Sequence, residues 1–222
     1  MEIAGRVAAV VFDLDGVLID SEPVWEQVRR GLVEERGGRW PDDAQTLLLG
    51  MNTAEWALYL SEDLGVGLPP AEVADIVIDR MAERYAEGLP LIPGADDALR
   101  RLGVRWPLAL ASSSPRRLID SVLAATKWGE LFAATVATDE VGRGKPAPDV
   151  YLEAARRLVV PASACAAVED SSNGLRSAAA AGTLVIAIPR PQNPPAPDAL
   201  RSAALVLNSL ANLTAAAIEQ LS

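Results

Sequence analysis

The sequence contains no histidine. That single absence removes imidazole acid–base catalysis, Ser-His-Asp triads and the common zinc sites together. Cysteine is almost missing as well. Cys165 stands alone in an apolar run, so no intrachain disulfide can form, and its expected role is that of a small core residue. No apolar run approaches the ~20 residues needed to cross a bilayer. The first residues, with Glu2 and a strand by Val7, do not read as a signal peptide, so a cytoplasmic protein is expected. Positive charge is in deficit: 20 basic residues face 30 acidic ones, for a net charge of −10. Such a surface argues against tracking along nucleic acid and offers no attraction to anionic lipid, so neither a nucleic-acid nor a membrane partner is expected. An anionic substrate would need a local positive site to overcome the global field.

What the sequence does have is apolar material in a recognisable order. Half of its 222 residues are hydrophobic, enough for a sizeable core. An apolar run from Val7 to Phe12 reads as a strand buried on both faces. Residues 18–88 then show only helical texture: Ser21 to Gly37 with Ser21 as its cap, a short helix after Pro41 to about Leu49, a break at Gly50-Met51-Asn52, Thr53 to Leu64, and Pro70 to Glu87. After Pro93 the texture changes. Short apolar strands at 107–111, 133–137, 164–168, 184–188 and 204–207 alternate with helices, the last of them Leu210 to Leu221. Alternation of this kind implies a parallel, doubly wound α/β sheet. The expected organisation is a Rossmann-like core from 1–17 and 93–222, interrupted by an inserted all-helical cap at 18–92. Linkers near 16–20 and 88–93 carry Gly16 and Gly88 as plausible hinge points.

The first strand ends in Phe12-Asp13-Leu14-Asp15-Gly16. Residues i and i+2 of an extended chain point to one side, so both carboxylates can face one pocket at the carboxyl edge of the sheet, where open α/β sheets place their ligands. Two carboxylates at close range raise each other's pKa, and a divalent metal is the natural offset. Three later strand ends bring polar groups to the same edge: Ser112 with Ser113, Lys145 in a Gly-Lys-Pro turn, and Glu169-Asp170 before a helix. Taken singly these are a helix cap, a surface lysine and a favourable helix start. Together they suit a magnesium-dependent phosphoryl transfer. A hard cation needs only oxygen ligands, a carboxylate can act as nucleophile, and a hydroxyl and an ammonium can hold the charge of the transferring group.

At this point the chain resembles the haloacid-dehalogenase-like hydrolase superfamily, in the branch that holds beta-phosphoglucomutase, phosphoglycolate phosphatase and small sugar phosphatases. Phe-Asp-Leu-Asp-Gly-Val at 12–17, Leu-Ala-Ser-Ser-Ser at 110–114, Gly-Lys-Pro-Ala-Pro-Asp at 144–149 and Val-Glu-Asp-Ser-Ser-Asn-Gly at 168–174 match its four motifs in order. The run Ile-Asp-Ser-Glu-Pro-Val-Trp at 19–25 looks most like 2-deoxyglucose-6-phosphate or hexitol phosphatases. The resemblance implies that Asp13 attacks phosphorus. It implies that Asp15 protonates the leaving alkoxide and later deprotonates water, and that Ser112 and Lys145 bind the phosphoryl group. It also implies Mg2+ on Asp13, on the backbone carbonyl of Asp15 and on Asp170, with Glu169 nearby. The helical insert would close over a small phosphorylated substrate. On its face Glu22, Trp25 and Asn52 are candidates to meet a sugar, Ser113 lies beside the phosphoryl site, and Arg80 is the remaining basic candidate. A monomer is expected.

The alternative on the same fold is a sugar-phosphate mutase. In that branch the resemblance leads one to expect a cap histidine at the position of Trp25 and an arginine near Thr53, and this chain has neither. A phosphonatase of the superfamily would use a cap lysine, and residues 18–88 contain none. A dehalogenase would need neither Asp15 nor magnesium, and a non-catalytic binding protein would have no use for both aspartates.

Overall fold

The computed structural model describes residues 7–48 and 51–221. Six parallel strands form one sheet: β1 (Ala9–Phe12), β2 (Leu108–Ser112), β3 (Phe132–Ala137), β4 (Cys165–Glu169), β5 (Leu184–Ala187) and β6 (Leu205–Val206). Their order across the sheet is β3-β2-β1-β4-β5-β6. The expected doubly wound parallel α/β sheet is present. β1 lies between β2 and β4, in register Phe12 with Leu110 and with Val168. The chain's winding reverses there, and the loops that leave β1 and β4 diverge to open a crevice.

Between β1 and β2 the chain is helical: α1 (Glu22–Glu35), α2 (Ala44–Leu48), α3 (Thr53–Leu58), α4 (Pro70–Glu87) and α5 (Ala95–Gly103). The later helices are α6 (Arg116–Thr126), α7 (Asp149–Leu158), α8 (Ser172–Ala180), α9 (Pro197–Leu200) and α10 (Ala215–Glu219). Among the described residues no helix is long and apolar enough to cross a membrane.

The strands explain the two-faced core. Alternate residues of β1 go to opposite faces: Val10 and Phe12 to one apolar cluster, Ala9 and Val11 to the other. The first face carries bulky residues, Phe12, Leu108, Leu110 and Val168. Its cluster runs on without a break into the helices after β1 through Leu32, Trp56, Val77 and Met81. The second face is paved with Ala109, Ala111 and Ala167, small enough for α7 and α8 to sit close. Cys165 is fully buried on that alanine face, and burial pushes its thiol up to about 11. It is an inert core residue, as its apolar setting suggested.

Four local expectations need correction. Ser21 does not cap α1. Its backbone is already helical (φ −80°, ψ −21°), and its hydroxyl donates instead to Asp15 Oδ1 at 2.6 Å, a charged acceptor stronger than a backbone group offers. The helix expected from Thr53 to Leu64 changes after Leu58 into a π turn, Tyr59–Asp63. The closing helix expected from Leu210 to Leu221 is divided. A 3-10 turn covers Leu210–Asn212, and Thr214 then accepts from the Ala217 N–H at 3.1 Å and starts α10 afresh. The short helix after Pro41 begins only at Ala44. Its expected end at Leu49, and the Gly50 of the break that follows, lie outside the described residues.

Candidate active site

Asp13 is the first residue past β1, and its backbone N–H still donates to Val168 of β4 at 3.0 Å. Its side chain is therefore fixed at the sheet edge by the strand ladder. Lys145 comes in from the loop before α7. Its Nζ donates to Asp13 Oδ1 at 2.8 Å, to Glu169 Oε1 at 2.7 Å and to the Ala111 carbonyl at 3.1 Å. These three bonds use all the donors of the ammonium. Burial alone would lower its pKa, but Asp13 and Glu169 outweigh it and hold the ammonium above its ordinary range. Lys145 is thus a permanent positive charge beneath the acids.

Glu169 is fully buried and spent on structure. Oε1 takes Lys145 and the Tyr151 hydroxyl, the latter at 2.7 Å. Oε2 takes the N–H of Asp170 at 3.1 Å, the N–H of Ser171 at 3.3 Å and the Ser171 hydroxyl at 3.2 Å. The start of α8 rests directly on this carboxylate. A Cβ added at Gly174 would lie 1.9 Å from Glu169 Cδ. Alanine in a helix ordinarily stabilises relative to glycine, but here there is no room. Gly174→Ala is expected to destabilise the protein by about 1–3 kcal/mol, the usual cost of overpacking. Urea unfolding reads this, and a midpoint that stays or rises would show that the helix start can yield.

Asp170 is different. It is buried, yet its Oδ1 has no hydrogen-bond partner among the described residues. Gly16, at φ +82°, brings the loop after β1 against it so closely that a Cβ would meet Asp170 Oδ2 at 2.0 Å. Oxygens of Asp13, Glu169 and Asp170 all lie within 4.8 Å of one another. Burial, then Glu169 and Asp13, push Asp170 well above the usual carboxylate range. Burial likewise pushes Asp13 up to about 7, opposed by Lys145 and reinforced by Glu169 and Asp15. An orphaned buried carboxylate oxygen beside a second acid, reached without a side chain on Gly16, fits a hard divalent cation. With Glu169 already saturated, Asp13 and Asp170 are the carboxylates free to hold it.

Asp15 sits in a nest of hydroxyls. Oδ1 accepts from Ser21, and Oδ2 accepts from Ser114 at 2.8 Å and Ser112 at 3.3 Å. Ser112 is itself buried at the end of β2 and accepts from the Ser114 N–H at 3.0 Å. Ser113 and Ser114, rather than Ser112, reach the wall of the cavity in front of the acids.

That cavity, ≈ 190 Å3, is walled on one side by Asp13, Asp15, Lys145 and Asp170 and on the other by Glu22, Trp25, Arg29 and Trp56. Glu22 accepts from the Gln45 side chain at 2.9 Å, and its carboxyl is raised, first by burial. Asn52 lines the cavity but spends its Oδ1 in a capping box with Glu55 at the start of α3. Arg80 does not reach the cavity. It forks onto Glu35 at 3.0 and 2.7 Å, on the outer face of α1. On the wall built by the helices after β1, the basic residue that does face it is Arg29, which sequence reasoning missed. The available signal was helical spacing: Arg29 follows Trp25 by four and precedes Leu32 by three, on the buried face of α1. Tyr151 and Ser114 were missed for the same reason, since only the folded chain shows which acid each one meets.

A haloacid dehalogenase-like hydrolase family model matches residues 7–182. The chain is 38% identical over 197 residues to the protein CbbY of Rhodobacter capsulatus, covering 83% of this chain and 86% of that one. It is 32% identical over 219 residues to hexitol phosphatase B of Escherichia coli K12, covering 97% and 98%. Among solved structures, a variant of CbbY from Rhodobacter sphaeroides in complex with xylulose-1,5-bisphosphate matches with a TM-score of 0.84 at 27% identity, over 96% of this chain and 99% of that one.

Proposed function

The chain belongs to the haloacid dehalogenase-like hydrolase family, and on that premise we propose that it is a magnesium-dependent phosphatase of small phosphorylated metabolites, sugar or polyol monophosphates, acting through an aspartyl-phosphate. The observation that carries this is the pairing of roles at the end of β1. Asp13 is tied to a permanent cation and Asp15 to hydroxyls, two residues apart and on one cavity.

In this reading an Asp13 oxygen attacks phosphorus, and the bond from phosphorus to the leaving oxygen breaks. Asp15 gives its proton to the departing alkoxide. It then takes a proton from the water that attacks the same phosphorus, which releases phosphate and restores the Asp13 carboxylate. Lys145, Ser113, Ser114 and the backbone at the end of β2 surround the phosphoryl oxygens. Ser112 acts one step back, orienting Ser114 and Asp15. Asp13, Asp170 and the Asp15 carbonyl would hold Mg2+, which when bound neutralises the crowded acids and the phosphoryl oxygens. Glu169 works by fixing Lys145 and the α8 start. Residues 18–92 form the cap in this reading. Its seam with the sheet domain is the packing of α4 on α6, bridged by the Asp79–Arg117 ion pair.

Hexitol phosphatase B and CbbY support a sugar-like leaving group. The walls do so too, since Glu22 offers a polar group beside the flat rings of Trp25 and Trp56. A mutase would begin with the same step but hand the phosphoryl group to a second sugar hydroxyl. The groups touching Asp15 here are hydroxyls with no ready proton to exchange near neutral pH, so water is the expected acceptor. With Mg2+ and a panel of sugar and polyol phosphates, phosphate should be released. From beta-glucose 1-phosphate with added bisphosphate, phosphate should form faster than glucose 6-phosphate in the same sample. Isomer outpacing phosphate would make the protein a mutase.

A further inference from the structure

The segment between β5 and α9 has no part in the chemistry above, yet it meets the cavity. Prolines stand at 189, 191, 194, 195 and 197, and each fixes its own φ. A stretch so restricted loses little further freedom when it is held in one shape. It is tied at both ends. The Ile188 N–H donates to the Glu169 carbonyl at 2.8 Å, and Arg190 Nη2 meets Asp20 Oδ2 at 2.7 Å. Asp20 lies in the linker that leads from the first strand to α1, where its N–H donates to the Pro90 carbonyl at 2.8 Å. At the far end the Ala196 N–H donates to the Ser172 hydroxyl, on the first residue of α8, at 2.8 Å. The Arg190–Asp20 pair is open to water and adds little to stability. Its effect is on position, because it anchors the turn Arg190-Pro191-Gln192-Asn193, which the Asn193 N–H closes onto the Arg190 carbonyl at 3.1 Å.

That turn delivers one side chain to the cavity. Among the described residues of 189–197, Asn193 alone lines it. Its backbone makes the hydrogen bond of the turn and the residue is exposed, so the side-chain amide is left to face the cavity. Asn173, in the first turn of α8 and three residues past Asp170, lines the same cavity. Two carboxamides from separate segments thus meet on the wall that carries Asp170. A carboxamide is uncharged and offers both a donor and an acceptor, so the partner it suits is a hydroxyl, which needs both.

We propose that Asn193 is a specificity-determining residue that reads a hydroxyl on the carbon next to the phosphate ester, so that the preferred substrates carry a hydroxyl there. This rests on the phosphatase reading above and deepens it. The short spacing from Asp170 to Asn173, and the bond of Ala196 to Ser172, keep this wall at the phosphoryl end of the substrate. The hydroxyl within its reach is therefore the one beside the ester rather than one further along the chain. Arg190 is a positioning residue: through Asp20 it fixes the turn, and the prolines keep the amide from having to be ordered when substrate binds.

The test uses the full chain with Mg2+ and a matched pair: the best sugar or polyol phosphate of the panel, and its counterpart lacking the hydroxyl next to the ester. Phosphate release should show kcat/KM about 5- to 10-fold higher for the hydroxylated member, the worth of a net neutral hydrogen bond. Removing that hydroxyl also changes the leaving alkoxide, so the quantity read is the ratio of the two substrates in wild type against the same ratio in each variant. In Asn193→Ala the ratio should fall by at least about 3-fold. In Arg190→Gln it should fall by a smaller factor, because the turn keeps its prolines and its tie to Ser172. A merely structural role would lower both substrates alike and leave the ratio in place. A ratio that stays the same in Asn193→Ala overturns the proposal, as does a wild type that prefers the deoxy member or a panel whose best substrates have no hydroxyl beside the ester. Each of those results leaves the phosphatase reading standing. No phosphate released from any member of the panel removes both.

Discussion

Replacing Asp13 by Asn is expected to lower phosphate release by at least about three orders of magnitude, roughly 4 kcal/mol in the barrier, while the protein still folds. The amide is nearly isosteric, so the strand end and its bond to Val168 remain. What disappears is the electron pair that attacks phosphorus. Stability should move little, because two effects oppose. Lys145 loses one of its two carboxylate partners. Against that, the folded state raises the Asp13 pKa from 3.8 to about 7, so between those values the folded chain binds more protons than the unfolded one. Stability contributed by this carboxyl therefore falls as pH rises through that window, and the neutral amide is free of that penalty. Phosphate release with circular dichroism on the same sample reads both parts. Retention of more than a few per cent of activity would remove Asp13 from the role of nucleophile.

Chelation should have an effect of similar size. Activity is expected to fall to about one per cent or less after exhaustive removal of divalent ions and to return with Mg2+, because a bound cation would offset the charge of the crowded Asp13 and Asp170 carboxylates. Asp170→Ala should raise the Mg2+ concentration for half-activity by at least about 10-fold, and it should abolish the rise in melting temperature that Mg2+ gives the wild type. Glu169→Ala should behave differently. Its fully buried carboxylate accepts from Lys145, Tyr151 and the Asp170 and Ser171 backbone, so its loss leaves the Tyr151 hydroxyl and the start of α8 without their acceptor and takes one of two carboxylates from Lys145, which should cost about 3–5 kcal/mol of stability, with the smaller effect on metal demand. An Asp170→Ala enzyme with an unchanged Mg2+ titration, or a wild type fully active after chelation, would contradict this assignment.

The contrast between Asp170 and Glu169 shows what the sequence could convey. Their position after an apolar run placed both at the sheet edge, because a short buried strand leaves little freedom in where its end falls. Asp13, Asp15 and Ser112 were legible for the same reason, whereas Lys145 stands in the loop before α7 and was legible through its Gly-Lys-Pro turn, as one of only two lysines in the chain, with Lys127. Spacing could not say which of two adjacent acids would be consumed by the fold and which left free. That depends on Tyr151, Lys145 and the Gly174 contact converging from three separate segments. Ser21 illustrates the limit locally. Its position before Glu22-Pro23 is that of a helix cap, yet a carboxylate six residues earlier takes its hydroxyl. On the helices after β1 the limit is wider. Arg80 and Arg29 are both arginines on amphipathic helices, and only packing sends one to Glu35 and the other between two indoles. The closing helix broke at Thr214 because a local cap outweighed the apolar periodicity that ran through it.

The central claim is that a phosphoryl group passes through Asp13. It is tested most directly by mixing the Mg2+-loaded enzyme with a substrate carrying a radiolabelled phosphoryl group, quenching in acid within one turnover, and mapping the labelled peptide. Label should appear on the peptide that contains Asp13, be released by mild base as expected of an acyl-phosphate, and be absent from Asp13→Asn. Rapid phosphate release with no label retained on the protein at any quench time, or label on a different residue, would contradict it.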